Sequence, residues 1–86
     1  MTEDAFCRSI EKSLRGRRPG LGVSVAVEDA HFVFRMDLPG RPTRTWLWPV
    51  DEPAYDAVLG EPWSQDQADY LALLAEEENT VYLARA

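Results

Sequence analysis

The sequence predicts an α+β fold: one small domain over residues 1–86, in the order α-β-β-β-α-α-β, with an antiparallel sheet of three to four strands and helices packed on one face. Three observations carry this. Apolar residues recur at helical steps near the start, alternate with polar ones between tight turns in the middle, and return to a helical step behind a capping signature in the second half. Eighty-six residues are too few to bury a second core. The 45% apolar and 28% charged composition is that of an ordinary globular domain.

Thr2 is placed to cap a first helix, with Glu3 and Asp4 at its positive end. Phe6, Ile10 and Leu14, joined by Cys7, form one apolar stripe over about Glu3–Arg15. Gly16 and then Pro19-Gly20 stop it. Val23, Val25 and Val27 alternate with Ser24, Ala26 and Glu28, the period of a half-buried strand. After the polar connection 28–31, Phe32, Phe34, Met36 and Leu38 repeat the pattern more clearly. Pro39-Gly40 turns the chain, and Thr43–Trp48 is a third strand rich in β-formers. Short connections favour an antiparallel meander.

Pro49 ends that strand, and Asp51-Glu52-Pro53 opens a short helix to about Leu59, with Gly60 behind it. Ser64 and Gln67 form a capping box, and Trp63 stands where a hydrophobic staple residue belongs. Ala68, Leu71, Leu74 and Ala75 trace the apolar face of a helix over Gln65–Glu78, with Asn79 after it. Thr80–Ala84 alternates and is expected to be a last strand, with Val81 and Leu83 on one side.

Charge is divided unevenly along the chain. From Met1 to Arg44 eight basic residues stand against six acidic ones, an excess of +2. From Thr45 to Ala86 nine acids stand against Arg85 alone, giving −8 and the overall −6. Such a division shapes the long-range field and the choice of partners. A single cysteine excludes an internal disulfide and fits a reducing, cytoplasmic setting. No apolar run suits a signal peptide or a membrane span.

Catalytic and cofactor classes find little support. Cys7 and His31 are the only thiol and imidazole, and Cys7 falls on an apolar stripe where small core residues belong. Two such residues are too few for a structural zinc site. The acids at Asp51, Glu52 and Asp56 lack EF-hand spacing. No phosphate-cradling glycine loop or nucleophile elbow is present. No cofactor is expected, and the chain reads as a binding module and not an enzyme.

The acidic second half is the expected docking face for a larger protein with a basic surface, as in an inhibitor, an immunity-type antagonist or an adaptor. Asp66, Asp69, Glu76 and Glu77, with Asp56, would carry it, and Trp63 would serve as an aromatic anchor. Three glutamates at 76–78 oppose the helix dipole, a small local cost that suggests another use. Two further readings start from the basic residues Arg8, Lys12, Arg15, Arg17 and Arg18. They would meet the acidic helix of a neighbour in a homo-oligomer, or less favourably a nucleic-acid backbone, which the overall charge of −6 would repel. Otherwise they pair with acids of their own chain. In the third strand Trp46 and Trp48 share one face. Core burial is the favoured expectation for them. The alternative is an exposed strip with Arg44.

The stretch from Phe32 through Pro39-Gly40 to Leu47-Trp48-Pro49, then Pro53-Ala54 and Asp69-Tyr70-Leu71, loosely resembles the MbtH-like activators of peptide synthetases. Those proteins are also small and acidic, with a three-stranded sheet and a helix. Tyr55-Asp56 replaces their Gly-Trp step, their C-terminal Trp-Thr-x-x-Arg-Pro segment is absent, and the leading helix here is an addition. The likeness covers less than half the chain and does not assign it to that family.

Overall fold

A computed structural model describes residues 1–51 and 63–84. The short helix expected to about Leu59, the candidate Asp56 and the basic Arg85 lie outside the described residues. Within them the order is α1 (Glu3–Arg17), β1 (Gly22–Glu28), β2 (His31–Asp37), β3 (Arg44–Pro49), α2 (Gln65–Glu78) and α3 (Thr80–Leu83). The three strands form one antiparallel sheet in the order β1-β2-β3. Helix, meander and following helices are the α+β arrangement that the alternation and caps predict.

One segment differs. Thr80–Leu83 is a short helix and not a strand. Asn79 makes the break, its amide donating to the carbonyl of Ala75 at 2.7 Å while its side-chain oxygen accepts from Arg44 Nε at 3.0 Å. Leu83 turns into the core and Val81 is left 86% exposed. A strand would have needed a partner edge, and the tie of Asn79 to the last turn of α2 keeps the chain coiled.

The connections explain the meander. Pro19-Gly20 and Pro39-Gly40 each close a four-residue turn, with Leu21 N–H on the carbonyl of Arg18 and Arg41 N–H on that of Leu38, both at 3.1 Å. Gly20 and Gly40 have φ of 93° and 77°, the left-handed position that such turns reserve for glycine. Between β1 and β2 the loop is two residues, Asp29 and Ala30, both left-handed at φ 50° and 59°. Two positive φ values in a two-residue hairpin match the right-handed twist of its strands.

The core lies between one face of the sheet and the helices. Val25, Phe32, Phe34 and Met36 meet Phe6, Cys7, Ile10 and Leu14 of α1 and Ala68, Leu71, Ala72 and Ala75 of α2. Helices α1 and α2 run parallel. Phe6 stacks on Trp63 at 5.6 Å at their N-terminal ends, and Arg17 meets Glu76 at their C-terminal ends. The buried alanines of α2 let the two helices approach closely.

Candidate functional site

The basic C-terminal end of α1 meets the acidic end of α2 within the chain. Glu76 Oε1 accepts from Arg17 Nε and Nη2, both at 2.7 Å, and Glu76 Oε2 accepts from Arg18 Nε at 2.7 Å. Partial burial pushes the Glu76 carboxyl up, but hydrogen bonds and charge from Arg17 and Arg18 outweigh it and hold the carboxyl below its ordinary range. One of the three glutamates that oppose the dipole of α2 is thereby neutralised by ion pairing. The arginines sit at the C-terminal end of α1, where cations are favoured.

Two other basic candidates are also placed. Arg8 donates to the carbonyl of Val25 at 2.6 Å and pairs with Glu11 at 3.1 Å. Lys12 lines an open groove of 390 Å³ with Ser9, Ser13, Gly16, Gln65 and Asp69. With Arg8, Arg17 and Arg18 engaged, Lys12 and Arg15 are exposed without an ion pair among the described residues, a small remainder for a phosphate backbone.

The acidic candidates separate into three groups. Glu76 is taken up. Asp66, Asp69 and Glu77 are exposed and have no cationic partner among the described residues, although Asp69 accepts from Gln65 Nε2 at 3.0 Å. At steps of three, four and four residues, Asp66, Asp69, Leu73 and Glu77 fall on one outward arc of α2, about 16 Å long at the helical rise. Half-buried Leu73 lies along its middle. Glu78 completes the acidic end of the helix, and both it and Glu77 line a dish of 530 Å³ at the α2–α3 junction, with Arg41, Arg44 and Tyr82 on its walls.

Trp63 is not a free anchor. It is half-buried against Phe6, in a left-handed backbone conformation of φ 55°. Trp46 and Trp48 face the helices, as core packing requires, and the alternative of an exposed strip with Arg44 gives way. Trp46 packs edge-on against Phe34 at 5.0 Å and stacks with Trp48 at 5.8 Å, both half-buried. Arg44 remains exposed on the same side.

Cys7 and His31 lie on opposite sides of the sheet. Cys7 is 2% exposed within the core, where burial above all raises its pKa. The nearby Glu3 and Glu11 act in the same sense and Arg8 opposes them. His31 lines the outer face with Val33, Arg35, Thr45 and Leu47, its Nδ1 2.7 Å from the carbonyl of Asp29. There Arg35 grips Glu28 with two nitrogens at 3.1 and 3.2 Å, and this contact lowers the pKa of Glu28. No nucleophile–base geometry joins the two residues.

Sequence reading missed two contacts. One is the clasp of Arg8 and Glu11 on Val25, signalled only by a charged pair three residues apart beside an apolar stripe. The other is Tyr82, whose hydroxyl lies 3.1 and 3.0 Å from the carbonyls of Met36 and Pro42, with one proton to donate between them.

No family model matches the chain, and neither a curated protein nor a solved structure matches it. Among the described residues no helix is long and apolar enough to cross a membrane.

Proposed function

We propose that the protein is a small binding module, and not an enzyme, that docks the outward face of α2 on a basic surface of a larger partner. The observation that carries this reading is the asymmetry within α2. Glu76 is neutralised by two arginines, while Asp66, Asp69 and Glu77 stay exposed along one arc with Leu73 between them. An acidic rim around an apolar residue suits a protein contact, in which charge steers encounter and the apolar centre is desolvated. Inhibitor, antagonist and adaptor roles all use such a face, and a cytoplasmic setting accords with the lone reduced thiol.

Capture from native lysate at low and high salt tests the reading when three proteins are compared. The wild type should retain a basic protein at low salt and release it at high salt. Asp69→Lys with Glu77→Lys should fail to retain it, and Arg15→Glu should retain it as the wild type does. With the isolated partner, the double reversal should slow association at least about tenfold at low salt and flatten its salt dependence. Equal association by wild type and double reversal would overturn the choice of face.

A further inference from the structure

The two edges of the sheet are treated differently. At β1 the N–H of Val25 donates to Glu11 Oε2 at 2.8 Å, and its carbonyl accepts from Arg8 at 2.6 Å. Helix α1 thus occupies the middle of that edge with one donor and one acceptor, the pair that a neighbouring strand residue would bring.

Because the backbone groups of Val25 point away from β2, the antiparallel ladder alternates from there. Val25 is opposite Phe34 and Phe34 opposite Trp46, so Phe34 and Trp46 exchange hydrogen bonds. Thr45 and Leu47 then turn their N–H and C=O groups outward. Among the described residues no side chain takes them. Pro49 has no N–H to offer, and the Leu47 side chain is 52% exposed.

We propose that this β3 edge, open among the described residues, pairs with β3 of a second copy, antiparallel about a two-fold axis at Trp46. Thr45 of each copy would exchange both backbone hydrogen bonds with Leu47 of the other. Trp46 would face Trp46 at the closely spaced, non-hydrogen-bonded position. The register also sets Arg44 of one copy, its Nε held by Asn79 at 3.0 Å, opposite Trp48 of the other, a cation beside an aromatic ring. Centring the pair on Leu47 would bring Arg44 opposite Val50 and lose that complementarity. The result is a six-stranded sheet whose aromatic row runs from Phe34 through both Trp46 residues to the second Phe34. A domain of 86 residues gains burial from such an extension.

This inference stands apart from the acidic docking face, and salt separates the two. Two chains of charge −6 repel, so self-association should tighten as salt rises, whereas docking on a basic partner should weaken.

Sedimentation velocity over a concentration series, at low and high salt, should show a dimer favoured at high salt. Amide exchange read residue by residue should slow at Thr45 and Leu47 as concentration rises and stay unchanged at Val23. Leu47→Pro removes one outward N–H per copy without touching the β2–β3 ladder, and should raise the dimer dissociation constant at least about tenfold. Leu47→Lys, which keeps the backbone and charges the edge, should weaken it in the same direction, with circular dichroism showing both variants folded. A wild type monomeric up to about 1 mM, where even weak association registers, would overturn the proposal. So would a dimer that both folded variants retain.

Discussion

The carboxylate of Glu11 accepts the backbone N–H of Val25, joining the middle of helix α1 to the edge of the sheet. Glu11 is only 6% exposed, an unusual burial for a glutamate, and its other partner is Arg8, which reaches the carbonyl of the same valine. A charged pair in the first helix therefore does the work of a fourth strand at one position.

Glu11→Ala should destabilise the protein by about 1–3 kcal/mol, since it leaves a buried N–H without an acceptor and Arg8 without its carboxylate. Glu11→Gln keeps an acceptor in place and should recover at least about half of that loss. Denaturant midpoints of the three proteins check both. Equal loss in the two variants would mean that the charge, and not the bond to Val25, is what matters.

The hairpin between β1 and β2 holds Ala30 in a left-handed conformation at φ 59°. Aspartate tolerates this region through its short polar side chain. Alanine gains nothing there and carries a steric cost of about 1–2 kcal/mol. Ala30→Gly should raise stability by about 0.5–1 kcal/mol, net of the extra chain entropy that glycine loses on folding. A lower urea midpoint would show that the Ala30 methyl makes a contact worth more than the strain.

Periodicity and turn chemistry made most of this fold legible. The stripe Phe6, Ile10 and Leu14, the alternation in β2, the two Pro-Gly turns and the Ser64–Gln67 capping box each hold their expected places. All are local signals, in which the residues that carry the pattern are those that touch. The last segment is a helix where alternation predicts a strand, because Thr80–Leu83 alternates over only a few residues. Val81 and Leu83 lie apart on a helical turn as readily as together on a strand, and the side chain of Asn79 decides between them. The Asp29-Ala30 hairpin lacks the glycine that marks such turns, so its two-residue length was hidden. Charge was legible as a total but not as a map. That Glu76 meets Arg17 and Arg18 while Asp69 does not depends on the parallel packing of α1 and α2, which no single stretch of sequence encodes.

Cys7 offers a probe of global opening. Its sulfur is buried among core residues, and burial, the largest influence, raises its pKa, so little reactive thiolate forms at neutral pH. Labelling by a disulfide reagent should be at least about a thousandfold slower in the native protein than in urea, and should track the unfolding equilibrium as denaturant is added. Rapid native labelling would place the opening of α1 below global unfolding in free energy.

The Glu76 cluster should make stability depend on acid in a defined direction. Its folded pKa lies below the ordinary value of 4.5, so the folded state binds a proton less readily than the unfolded chain. The stability contributed by Arg17 and Arg18 is therefore fully present above that ordinary value, and is lost as pH falls through the lower, folded value. Glu76→Gln removes the titration and the charge together. At pH 7 the wild type should exceed the variant by no more than about 1 kcal/mol, because both arginines are partly in solvent and salt screens them. The difference should hold to about pH 5 and then shrink toward pH 3, with other carboxylates cancelling between the two proteins. Urea midpoints at pH 7, 5, 4 and 3 measure it. A difference that grows on acidification would mean that Glu76 binds its proton more tightly when folded, and that the two arginines do not govern the site.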